Sequence, residues 1–199
     1  MGQRFLYLVR HGQYANDTAP PESQDGDLTA LGREQAARVA ARFAGLPVAL
    51  IHHSDLRRAT ETATILATRL PGTPLQPSPL LRECIPAVPA GFATWFAQIA
   101  PDVLAHGKVQ AAAAFAAFLV PPEPDEPDDA SDRHEIIVAH GNLISSFVCA
   151  LLGAPPEAWV HVDIQLCGIS EIVLGGPRQN SLVRHNDVAH LPVALRLYT

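Results

Sequence analysis

The chain switches repeatedly between short apolar runs and amphipathic stretches, and these predict its elements in order. Phe5 to Val9 is a continuous apolar run of the length expected for a buried strand. The polar stretch from Gln13 to Asp27, with Pro20-Pro21 inside it, predicts a loop. Leu28-Thr29 opens a helix to about Phe43, because Leu31, Gln35/Ala36, Val39 and Phe43 recur at helical spacing. Thr29 is placed to cap that helix, and Gly45 and Pro47 end it. Val48 to His52 predicts a second strand, and a helix from about Asp55 to Leu70 follows, with Ser54 as its cap and Pro71-Gly72 as its stop. Pro74 to Pro89 reads as a proline-rich loop, then helical segments follow around Phe92 to Ile99 and from Val103 to Leu119. Glu135 to Ala139 predicts a third strand and Asn142 to Leu152 a helix. Ile164 to Leu174 and Ser181 to Asn186 predict two more strands, joined by a turn marked by Gly175-Gly176 and Asn180.

Strands alternating with helices predict an α/β fold, a three-layer sandwich whose mainly parallel central sheet is flanked by helices. In such sheets ligands bind beyond the carboxyl ends of the strands. His11 and His140 both stand where an apolar strand gives way to polar chain. The length of 199 residues fits one domain spanning 1–199. The segment 121–134, acidic and rich in proline, is expected to be a solvated surface loop.

Composition narrows the classes of function. With 48% hydrophobic and 17% charged residues the chain is expected to fold. A formal net charge of -6 argues against nucleic acid as a partner. No apolar run is long enough for a bilayer span, and the start runs directly into a strand without the regions of a signal peptide. Three cysteines, Cys84, Cys149 and Cys167, cannot all pair, which suits reduced thiols. Together these predict a cytoplasmic protein with no membrane partner. None of the cysteines is followed six residues later by arginine, and no Gly-x-x-x-x-Gly-Lys occurs, so two common routes of phosphate chemistry have no candidate.

The chemistry-bearing residues lie at the strand ends. Arg10-His11-Gly12 follows the first strand and Val138-Ala139-His140-Gly141 ends the third. Imidazole is a nucleophile at neutral pH, provided its second nitrogen donates to a fixed acceptor such as a backbone carbonyl. A lone histidine is more often a packed core residue, but an arginine at a buried strand end needs an anionic partner. Arg57 and Arg58 stand at the start of the second helix, either as phosphate-binding forks or as solvated surface charges. Glu83 suits a proton donor to a leaving oxygen, or an ordinary surface pair with Arg82. His140 could donate to a phosphoryl oxygen, and Gly141 and Asn142 begin a helix whose free backbone donors favour an anion. His52 or His53 could line the same cleft, while His161-Val162-Asp163 and His185-Asn186-Asp187 are weak metal candidates.

These segments resemble the histidine phosphatase superfamily, also called the phosphoglycerate mutase-like family. Arg10-His11-Gly12 resembles its signature at the phosphorylated histidine, and Leu28-Thr29-Ala30-Leu31-Gly32-Arg33-Glu34-Gln35-Ala36 its first helix. Ser54 to Ala63 resembles the segment with its second phosphate-binding arginine, the one directly before alanine, which selects Arg58 over Arg57. Leu81-Arg82-Glu83 resembles the segment of its acid, Val138-Ala139-His140-Gly141 its second histidine, and Asn186 to Leu191 a C-terminal segment of its phosphatase branch. Gln13-Tyr14 and Pro155-Pro156-Glu157-Ala158-Trp159 are similar to a protein serine/threonine phosphatase of the family. Mutases carry glutamate and serine where this chain has Gln13-Tyr14, and Asp17 replaces their asparagine.

The resemblance implies a metal-independent phosphomonoester hydrolase with no cofactor, acting on a phosphoprotein or a small phosphorylated metabolite. His11, Glu83 and His140 would be catalytic, and Arg10, Arg58, His140 and Gly141 would bind phosphate. A mutase-type phosphotransferase and a non-catalytic binder of phosphorylated ligands are the alternatives.

Overall fold

The computed structural model describes residues 2–15, 25–121, 131–176 and 179–198. Most of the expected acidic loop, and the position of Asp17, lie outside them. The strands are β1 (Arg4–Arg10), β2 (Val48–Ser54), β3 (Leu75–Ser78), β4 (Arg133–Ala139), β5 (Ile169–Gly176) and β6 (Gln179–Asp187). The helices are α1 (Ala30–Phe43), α2 (Arg57–Ala67), a single turn α3 (Ala93–Phe96), α4 (Pro101–Phe118) and α5 (Gly141–Leu151). The sheet order is β3-β2-β4-β1-β5-β6. From β3 to β1 every pairing is parallel, while β5 and β6 join antiparallel.

Side-chain alternation along the strands divides the core in two. Tyr7, Val9, Ile136 and Val138 point to one face, where Ala36, Val39 and Phe43 of α1 and Ala59, Ala63 and Leu66 of α2 cover them. Leu6, Leu8, Ile137 and Ala139 point to the other, against Ala114 and Phe118 of α4 and Leu143, Ile144 and Phe147 of α5. The three-layer arrangement therefore stands as expected, with helices on both faces of a mainly parallel sheet.

Several local expectations are corrected. Helix α2 begins at Arg57, its cap position is Leu56 without a side-chain bond, and Ser54 Oγ instead accepts from the Leu56 amide at 3.3 Å. Asp55 is drawn away to a two-pronged ion pair with Arg82, at 2.7 and 2.6 Å. The proline-rich loop after Pro74 contains the edge strand β3, where Pro77 is tolerated because one side of an edge strand needs no partner. The apolar run from Ile164 does not enter the sheet until Ile169. It crosses the end of β1 first: Cys167, at φ 57°, donates its amide to the carbonyls of Arg10 and His11, and Gly168 O accepts from Arg10 N. The expected helix from Phe92 to Ile99 is a 3-10 turn (Ala90–Phe92) followed by the single turn α3. Residues 177–178 of the turn before β6 lie outside the described residues.

Candidate active site

The register of the sheet brings the two strand-end histidines together. Strands β1 and β4 are parallel neighbours with Arg10 opposite Ala139, so His11 and His140 leave the sheet side by side. The His11 amide donates to Ala139 O at 3.0 Å. The two imidazole rings lie 4.9 Å apart, centre to centre, at 57°.

His11 is oriented from both ends of its ring. Arg58 Nε donates to His11 Nε2 at 3.2 Å. Nε2 is thus the acceptor, which puts the proton on Nδ1, and Nδ1 donates to Gly12 O at 2.8 Å. Burial holds the His11 pKa well below 6.5, and the Arg58 charge pushes the same way. A neutral imidazole with a fixed tautomer and its Nε2 lone pair in the site is a competent nucleophile.

The loop carrying His11 is fixed by close backbone approach. A Cβ on Gly12 would lie 2.6 Å from Gly32 O, and one on Gly32 would lie 2.0 Å from Gln13 O. The bare Gly12 backbone lets helix α1 approach the loop. Thr29 caps α1 through Gly32 N as expected, and its hydroxyl also donates to Gln13 Oε1 at 2.7 Å. Gln35 accepts from Gln13 N, and Thr62 Oγ accepts from Gly12 N while donating to Arg58 O.

Both predicted arginines reach the site. Arg10 is buried and donates to Ile164 O at 2.6 Å. Burial pulls its pKa down and the charges of Glu83 and Asp163 raise it again. Arg58 is buried under the ring of Tyr14, which stands 4.5 Å from its guanidinium carbon, and Asp25 lies 3.7 Å from its Nη1. Arg57, the other member of the pair, is half exposed and bridges to Asp27. The structure thus places Arg58 beside His11 and Arg57 at the surface.

His140 is 0% exposed, and neither of its ring nitrogens has a hydrogen-bond partner among the described residues. Burial lowers its pKa well below 6.5, with His11, Arg58 and Arg10 adding to the effect. It precedes α5, whose first residue is Gly141. A Cβ at Gly141 would lie 3.3 Å from the Arg10 guanidinium carbon, so this glycine makes room for the arginine.

Glu83 is half-buried, and burial raises its pKa. The Cys84 amide, 3.2 Å from Oε1, and the Arg10 charge partly offset that rise, as does the Asn142 amide. Its expected alternative as a partner of Arg82 is excluded, because Arg82 is occupied by Asp55. Beyond Glu83 lies a cavity of about 560 Å³, whose wall includes Ile85, Asp102, His106 and Asn142.

Other candidates stay apart. His52 meets Glu135 and Phe118, and His53 bonds to Ser54 O and Thr60. His185 joins Ser170 and Asp163 O, and His161 packs on Phe92. Tyr14 and Asp25 are not singled out from sequence as site residues. Tyr14 is three residues from His11 in sequence, whereas Asp25 meets Arg58 only through the fold.

Comparison with known proteins defines the class. The model of the histidine phosphatase superfamily (branch 1) matches residues 6–91 and 125–188, and the chain belongs to that family. It is 32% identical over 199 residues to the human serine/threonine-protein phosphatase PGAM5, mitochondrial, covering 95% of this chain and 64% of that protein. The chain therefore spans just under two thirds of that relative. Among solved structures, a mycobacterial glucosyl-3-phosphoglycerate phosphatase superposes with a TM-score of 0.64 at 27% identity, covering 92% of this chain and 99% of that one. A phosphoglycerate mutase from Plasmodium falciparum, at 24% identity and a TM-score of 0.63 over 97% of this chain and 96% of that one, shares the fold. The relatives also correct the expected location: several are named mitochondrial rather than cytoplasmic. Unpaired thiols and the lack of a long apolar run do not distinguish those compartments.

Proposed function

We propose that this chain is a phosphomonoester hydrolase that carries the phosphoryl group transiently on His11. As Arg58 turns its donors to the phosphoryl oxygens it releases His11 Nε2, whose lone pair attacks phosphorus; the bond to the leaving oxygen breaks, and Glu83 gives that oxygen its proton. Water then attacks the phosphohistidine, Glu83 takes a proton from it, and the P–N electron pair returns to Nε2. Arg10, Arg58, His140 and the Gly141 amide hold the phosphoryl oxygens through both steps. The observation that carries this reading is the fixed His11 tautomer, with Nδ1 on Gly12 O and Nε2 facing Arg58.

Charge for the transferring group comes from the two arginines, so the scheme uses no metal and no cofactor. The 199 residues act as one unit in this reading, since both histidines and the acid depend on one sheet. A phosphorylated serine or threonine of a protein is the favoured substrate class, after the printed activity of the relatives. A small phosphorylated metabolite remains the second, after the printed activity of the mycobacterial neighbour. The mutase alternative is disfavoured by Gln13-Tyr14, and the non-catalytic binder by Glu83, which a binder does not need.

Hydrolysis of an aryl phosphate tests the reading. Activity should survive a chelator and vanish in His11→Ala; chelator loss or a fully active His11→Ala contradicts the mechanism. Phosphoryl exchange between sugar-acid phosphates, if faster than hydrolysis, would restore the mutase.

A further inference from the structure

We infer that Tyr14 is a positioning residue for the phosphate-binding arginine, its ring serving as the platform that holds Arg58 against His11. This rests on the proposed reading of the site. The Tyr14 ring centre is 4.5 Å from the Arg58 guanidinium carbon, within the range of a cation–π contact. The same ring meets the His11 ring at 5.4 Å and 82°, an edge-on contact. One side chain thus touches both the arginine and the nucleophile.

The ring is itself fixed. Tyr14 pairs with Leu28 in an isolated antiparallel bridge, and Gln13 beside it is tied to Thr29 and Gln35. Leu28 in turn donates its amide to Glu61 on α2, three residues beyond Arg58. The platform and the arginine therefore share one bracing. Without it, Arg58 keeps Asp25 on one side and loses the wall on the other. A planar guanidinium stacked on a ring loses less freedom when it takes up phosphate oxygens in a forked way.

Two substitutions separate the ring from the hydroxyl. Binding of inorganic phosphate by calorimetry and titration of the His11 imidazole by NMR are the readouts, and neither needs turnover. Tyr14→Phe should bind phosphate as the wild type does. Tyr14→Leu should bind it roughly fivefold more weakly, the scale of a partly desolvated cation–π contact. Its His11 titration should move to higher pH, because a displaced Arg58 no longer disfavours the imidazolium. Loss of cover over His11 would raise that titration too, because burial is its largest cause, so the shift supports the platform only together with the weaker phosphate binding; a raised titration with wild-type phosphate affinity counts against it. Should Tyr14→Leu not fold, Tyr14→Met keeps the bulk without the ring face. Wild-type phosphate affinity and titration in the leucine or methionine variant would overturn the inference, as would a phenylalanine variant as weak as leucine. Tight phosphate binding without any turnover would instead count against the proposed reaction and leave the platform standing.

Discussion

Two strand ends of this molecule look alike and behave differently. Arg10-His11-Gly12 and Ala139-His140-Gly141 leave adjacent parallel strands in register, and both histidines are buried. Yet both nitrogens of His11 are engaged, by Gly12 O and Arg58, and neither nitrogen of His140 is engaged among the described residues. The glycines differ as well: Gly12 faces the backbone of α1, Gly141 the side chain of Arg10. A buried polar group without a partner is costly, so His140 stands ready for an anion that supplies one. In the proposed reaction the repeated motif gives one oriented nucleophile and one donor to phosphate.

Removing each histidine in turn should break the symmetry most sharply. His11→Ala should cost at least about 10⁴-fold in kcat on an aryl phosphate, as loss of a nucleophile does. His140→Ala should cost roughly 10² to 10³-fold, the scale of a lost donor to developing charge. Equal losses would mean that the two ends share one role. Glu83→Gln should follow, slowing an alkyl phosphate by about 10²-fold or more and an activated aryl phosphate much less. Equal slowing would remove Glu83 as the acid.

The glycines offer a finer contrast. Gly141→Ala should lower kcat/KM by roughly tenfold through displacement of Arg10, with little change in melting temperature. Gly12→Ala should instead cost about 1–3 kcal/mol of stability, measured by denaturant unfolding, because its Cβ meets backbone that cannot yield.

The pH profile is the mildest probe. His11 must be neutral to attack, and its pKa lies well below 6.5, so the acid-side fall in kcat/KM should appear below that pH. Glu83 must be protonated for the first step, and its pKa lies above 4.5, so the fall on the alkaline side should follow that raised value. It should be steeper for poor leaving groups. The usable window is bounded by Glu135. Burial pushes its pKa up, but bonds with His52, Arg4 and Arg133 outweigh that and hold it at about 2. Its contribution to stability is complete above the ordinary 4.5 and is lost as pH falls toward 2.

Arg10, His11 and His140 stand out because strand ends are local features, whereas Arg58 is singled out from Arg57, like Glu83, only because its neighbours resemble a family segment. The contacts that complete the site are long-range. Nothing near Gly12 announces that Gly32 will pack on it, nor that Asp55 will leave α2 for Arg82. Tyr14 lies three residues from His11, but its position over Arg58 depends on the fold of α2. The edge strand β3 escaped notice because proline and short length mask an edge, and the run from Ile164 misled because burial alone does not make a strand.

Locating the covalent phosphoryl group tests the central claim most directly. The protein is mixed briefly with an aryl phosphate, quenched at alkaline pH where phosphohistidine survives, and the modified residue identified by mass spectrometry. One phosphoryl group on His11 is expected, absent from His11→Ala and still formed, more slowly, in His140→Ala. Phosphate on His140 instead, or turnover with no phosphohistidine at any time, would contradict the account.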